Sequence, residues 1–117
     1  MKPDASPERL RRRYDRLRQR LARFDLLLVG TITERYDDRV PPGSPPRGPY
    51  HQWTYKQRGK TVTVNLSPTQ AKAFQKAIDN QRKLEAILRE MRALSRAYLE
   101  ATTPGVKRRK PRHDALS

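Results

Sequence analysis

From Ser67 to Thr103 the chain contains no glycine and, after Pro68, no proline. Ser67 suits a helix cap and Pro68 a first helical position. Phe74, Ile78, Leu84, Ile87, Leu88, Met91, Leu94, Tyr98 and Leu99 then recur on one helical stripe until the sequence TTPG, Thr102 to Gly105, stops it. The run predicts one helix of roughly 34 residues, about 50 Å long. A helix of that length outruns any small sheet. Its distal part, from about Leu84, needs another apolar surface, either a second helix of the same chain or a second copy of it.

The stretch GPYHQWTYKQRGKTVTVNL, Gly48 to Leu66, supplies the sheet. Arg58-Gly59 suits a two-residue turn, because glycine tolerates positive φ. That turn pairs Tyr55 with Val62 and Trp53 with Val64 on one face, continued by Leu66. The other face then carries Lys56 against Thr61, Thr54 against Thr63 and Gln52 against Asn65. A one-residue slip would bury the threonines and the lysine, so the pattern fixes the register. LLLVGTITERY, ahead of the hairpin, predicts a further strand with Leu28, Ile32 and Tyr36 on one face and Thr31, Thr33 and Arg35 on the other; Gly30 is expected to mark a bulge. Between the two lies DDRVPPGSPPRGP, whose prolines and glycines predict a loop over 37–49.

The N-terminal run SPERLRRRYDRLRQRLARFD predicts a helix capped by Ser6 and opened by Pro7, with Glu8 at the positive end of its dipole. Leu10, Tyr14, Leu17, Leu21 and Phe24 form its narrow apolar seam, and most other positions are arginine. Like charges at this density repel, so the helix persists only if its seam is packed. The fold class expected is α+β: a basic N-terminal helix, a three-stranded antiparallel sheet and a long C-terminal helix, with both helices on the apolar sheet face. Residues 1–5 are expected to be flexible, 6–103 to form a single domain, and 104–117 to form a disordered basic tail.

Composition limits what such a domain can do. Only 34% of the 117 residues are hydrophobic, below the roughly 45–50% of ordinary globular chains. There is no cysteine and there are two histidines, His51 and His113, so no disulfide, thiolate site or conventional histidine zinc site is expected. LLLVG is too short an apolar run to span a bilayer, and the N-terminus lacks a secretory signal. The expected location is the cytoplasm, with no membrane partner.

The net charge of +15 points to an acidic partner. Residues 1–25 hold nine Lys/Arg against four acids, and 104–117 hold five against one. Arginine forks match phosphate oxygens. The candidate nucleic-acid-binding residues are therefore Arg11, Arg12, Arg13, Arg16, Arg18 and Arg20 of the first helix; Arg35, Lys56, Arg58 and Lys60 of the sheet; and Lys107, Arg108, Arg109 and Lys110 of the tail. The polar sheet face bears hydrogen-bonding groups suited to base edges in a major groove. Trp53 and Tyr55 are capable of stacking on bases, but their alternation with valines assigns them to the core. Glu34, Asp37 and Asp38 beside the proline-rich loop read as solvated acids. No nucleophile–base constellation and no phosphate-binding glycine loop is present. The chain is accordingly read as a non-enzyme with no catalytic residue, metal, cofactor or small-molecule substrate.

Gly30, Arg35 and Tyr36, then Gly48-Pro49-Tyr50, then Gly59-Lys60-Thr61 and the long helix resemble an uncharacterised family of short bacterial and archaeal proteins often encoded near transposases. The resemblance covers roughly residues 27–100. Many members carry a cysteine-rich knuckle before Gly-Pro-Tyr; here DDRVPPGSPPR stands in its place, so any metal role is lost. The resemblance implies a mobile-element setting rather than a mechanism. Two functions follow: an accessory protein binding DNA or RNA, or an oligomerising adaptor. In either case Leu84, Leu88, Met91, Leu94 and Tyr98 are expected to form the interface of a homodimer or to hold a protein partner.

Overall fold

The structure, a computed structural model, describes residues 6–106. Five elements follow in order: α1 (Pro7–Leu21), β1 (Thr31–Asp37), β2 (Arg47–Gln57), β3 (Lys60–Leu66) and α2 (Pro68–Thr102). The strands form one antiparallel sheet in the order β1-β2-β3, so the α+β class is as expected. The basic run Lys107, Arg108, Arg109 and Lys110 lies outside the described residues, as does the flexible N-terminus expected over 1–5.

Helix caps follow the sequence chemistry. The Ser6 side chain accepts from the Arg9 amide at 3.3 Å, with Pro7 next and Glu8 in the first turn. At α2 the cap is reciprocal: the Gln70 amide donates to Ser67 Oγ at 3.1 Å, and the Ser67 amide donates to Gln70 Oε1 at 2.8 Å. This capping box satisfies two amides that the helix itself leaves unpaired.

The chain divides into two compact units, Arg23–Ala86 and the rest. One unit holds the sheet and α2 as far as Ala86. Trp53 stacks on Tyr55 at 4.2 Å between centroids and meets Phe74 of α2 edge-on at 5.3 Å. Ala71 and Ile78 are buried, Ile78 to 1% exposure. Residues ahead of β1 lie along α2: the Leu28 amide donates to Ala77 O at 3.2 Å, and Asn80 Nδ2 donates to Leu26 O at 3.2 Å. The indole N–H of Trp53 donates to Val29 O at 2.9 Å.

The second unit pairs α1 with α2 from Ile87 onward. Leu10 and Leu17 of α1 and Ile87, Met91 and Leu94 of α2 are buried. Arg11 approaches Tyr98 while Arg13 bonds Glu90, so the two helices run antiparallel. Each unit has its own buried side chains, Ala71 and Ile78 in the sheet unit and Leu10, Leu17, Ile87, Met91 and Leu94 in the helical one. The stripe from Ile87 to Leu94 has the seven-residue spacing of Leu10 to Leu17, so the two helical seams match each other.

Three local expectations are corrected. The N-terminal helix ends at Leu21, and Phe24 belongs to the sheet unit. β2 begins at Arg47, so the last three residues of the expected loop belong to the strand, and Asp37 pairs with Arg47. The irregularity of the sheet lies between Arg35 and Asp37, not at Gly30. There Pro49, lacking an amide hydrogen, breaks the ladder opposite Tyr36. Tyr36 therefore leaves the apolar face on which Ile32 lies and is 57% exposed. Gly30 has another task. Its φ is +124°, and a Cβ there would stand 2.3 Å from the Trp53 indole nitrogen; only glycine lets that nitrogen reach Val29.

Candidate nucleic-acid interface

α1 presents a one-sided cationic surface because its seam takes every apolar residue. Arg9, Arg12, Arg13 and Arg16, at helical spacings of three and four, line a shallow depression of about 300 Å³. The six expected α1 arginines divide by what else they touch. Arg11 Nε lies 3.3 Å and Arg18 Nη2 3.8 Å from Asp15 Oδ1, neither with hydrogen-bond geometry. Arg11 also lies over the Tyr14 and Tyr98 rings, at 5.6 and 5.9 Å. Arg13 bonds Glu90 at 2.7 Å. Arg12, Arg16 and Arg20 form no ion pair among the described residues and are exposed. Exposed pairs are worth roughly 0–1 kcal/mol, so a phosphate competes with them on even terms.

A second cationic stripe was not anticipated. Arg89, Arg92 and Arg96 of α2 line a depression of about 410 Å³ with Ala93, Ala97 and Glu100. Their spacing of three and four residues was the available signal. It was obscured because α2 as a whole carries seven Lys/Arg against four acids.

The residues expected at an oligomer interface differ in exposure. Met91 and Leu94 are buried within the single chain, and Leu84, Leu88 and Tyr98 are half-buried. Leu10 and Leu17 of α1 are buried in the same unit as Met91 and Leu94, the first of the two coverings the sequence left open. Leu99, at 56% exposure, is the large apolar residue of this region left in water.

In the sheet unit the expected hairpin register holds at every pair: Tyr55–Val62, Trp53–Val64, Lys56–Thr61, Thr54–Thr63 and Gln52–Asn65. The turn has positive φ at both Arg58 (52°) and Gly59 (79°). β1 extends the polar face, with Thr31 opposite Thr54 and Thr33 opposite Gln52. Across this face Gln52 Nε2 donates to Asn65 Oδ1 at 3.1 Å. Lys56, Arg58 and Lys60 cluster at the turn end, exposed and without an ion pair among the described residues. Arg35 sits at the opposite end, across from Tyr50. No carboxylate occupies the polar face. Trp53 and Tyr55 are half-buried, stacked on each other, with Trp53 edge-on to Phe74.

Two of the three acids near the loop have local partners. Asp37 Oδ1 accepts from the Arg39 amide at 2.9 Å, and Glu34 lies 3.4 Å from His51 Nε2. Among the described residues no group of three or more His, Asp or Glu is placed to hold a metal ion, and no helix is long and apolar enough to cross a membrane. No family model, curated protein or solved structure matches the chain.

Proposed function

We propose that this chain is a non-enzymatic nucleic-acid-binding accessory protein, working in a mobile-element setting, that grips phosphates with α1. The observation that carries the reading is the arginine surface of α1, where Arg12, Arg16 and Arg20 stand exposed, without an ion pair among the described residues, beside Arg9 and Arg13. Such a surface is electrostatically costly unless polyanions neutralise it. The polar sheet face, with Lys56, Arg58 and Lys60 at one end, adds contacts of a different kind: hydroxyls and amides able to meet base edges.

Salt-titrated binding to duplex DNA, single strands and structured RNA tests the proposal. The logarithm of the affinity should fall linearly with that of salt, by about 0.9 per phosphate contacted on duplex DNA. Changing Arg12, Arg16 and Arg20 to glutamine should flatten that slope for all sequences alike. An unchanged slope and affinity would remove α1 from the interface.

A further inference from the structure

The end of the sheet opposite the hairpin turn carries two aromatic rings that the core does not use. Tyr50 alternates with Gln52 and so lies on the polar face, 48% exposed and directly across from Arg35. Tyr36 is turned out by the irregularity between Arg35 and Asp37. Its ring is backed by main chain: a Cβ on Gly48, whose φ is +129°, would stand 3.3 Å from Tyr36 Cδ2 and 2.9 Å from Arg35 O. Neither ring contacts another aromatic ring among the described residues. Arg35, Tyr36, Arg39, Tyr50, Gln52 and Asn65 together line a cleft of about 410 Å³.

We infer that this cleft receives one unpaired nucleobase together with its adjoining phosphate. Exposed tyrosine faces stack on bases irrespective of sequence. In a duplex those base faces are already stacked on one another, so rings set in a cleft select a base that has left the helix. Arg35 supplies a cation for the phosphate, and so does Arg39, whose 95% exposed side chain pairs at 3.4 Å with Asp37, a carboxylate that also lines the cleft and that a phosphate would have to displace. Gln52 and Asn65 supply an edge reader. Gln52 Nε2 is committed to Asn65 Oδ1, which leaves Gln52 Oε1 as an acceptor and Asn65 Nδ2 as a donor side by side for a base edge. The inference rests on the nucleic-acid reading and narrows it: the preferred ligand has a single-stranded segment, such as a junction or an overhang, rather than being a continuous duplex.

The test uses the full chain and three fluorescent probes: a blunt duplex, the same duplex with a short single-stranded overhang, and the single strand alone. The overhang duplex should bind about tenfold or more tighter than the blunt one. A 2-aminopurine placed in the overhang should lose fluorescence as it stacks. Tyr36→Ala and Tyr50→Ala should each erase most of the overhang increment while leaving blunt-duplex affinity and its salt slope in place. Tyr50→Phe, which keeps the stacking face, should retain the increment, and Tyr50→Leu should lose it; circular dichroism checks that all variants are folded. Salt-dependent binding with no overhang preference, or equal losses on both duplexes in folded variants, overturns the cleft and leaves the phosphate reading standing. Absence of salt-dependent binding to any probe overturns both.

Discussion

The helical unit and the sheet unit are both basic at the surface, but they are basic in different ways. On α1 the cations are crowded, nearly uniform in type and backed by a seam of leucines. On the sheet they are few and stand at the two ends of a face of threonines and amides. A crowded arginine stripe can fix affinity without regard to sequence, since phosphates repeat along any strand. A face of directed donors and acceptors contributes little long-range attraction but can tell one base edge from another. Under the proposed function, holding and discriminating fall to separate parts of the chain, which can be broken independently.

The largest effect is expected from disturbing the helical core. Leu94 is buried and lines a depression with Arg11, Tyr14 and Arg18 of α1, so Leu94→Asp exchanges packed apolar surface for a carboxylate that must be desolvated. The cost should exceed the roughly 2–5 kcal/mol of a leucine-to-alanine change in a core. Denaturant melts should show α1 detaching, with loss of helical ellipticity. If the same substitution instead halves the light-scattering mass of a folded chain, Leu94 lies at an interface between copies and the intrachain packing is wrong.

Ile78→Ala tests the other core. This side chain is 1% exposed, and its truncation should cost about 2–5 kcal/mol. The comparison is sharpened if Ile78→Ala weakens overhang discrimination more than salt-dependent duplex binding, since the sheet depends on Ile78 and α1 does not. Gly30→Ala should follow at about 1–3 kcal/mol of backbone strain, plus loss of the Trp53–Val29 hydrogen bond; a tryptophan emission shift would report it.

How far these properties were legible depends on the kind of periodicity that encodes them. The hairpin register could be read residue by residue, because an error of one would exchange valines for threonines. The long helix was equally plain, having caps and no breaker. What covered its distal half was not legible. The stripe from Ile87 to Leu94 fits an α1 seam or a second copy, and periodicity carries no information on which chain supplies the partner. Tyr36 was misplaced for a different reason. Alternation was extended through it from Ile32, while the interruption is set by Pro49, thirteen residues later and on another strand. The cleft it helps to form is thus a product of pairing, and no local pattern announces it.

The smallest effect concerns the ion pair that ties α1 to α2. Arg13 and Glu90 meet at 2.7 Å, but their side chains remain 55% and 44% exposed, so solvent screens them. Glu90→Gln should change stability by no more than about 1 kcal/mol. Its effect on binding should have the opposite sign to that of the arginine substitutions. Releasing Arg13 removes a carboxylate that competes with phosphate, and an anion in its place gains what the glutamate relinquishes. Affinity for any duplex should therefore rise, by at most about fivefold if the whole of that energy is transferred, with a slightly steeper salt dependence. Overhang preference should stay where it was, because the tyrosine cleft lies in the other unit. A shift in overhang preference with unchanged duplex affinity would mean that holding and discriminating are not separate, and that Glu90 acts on the sheet.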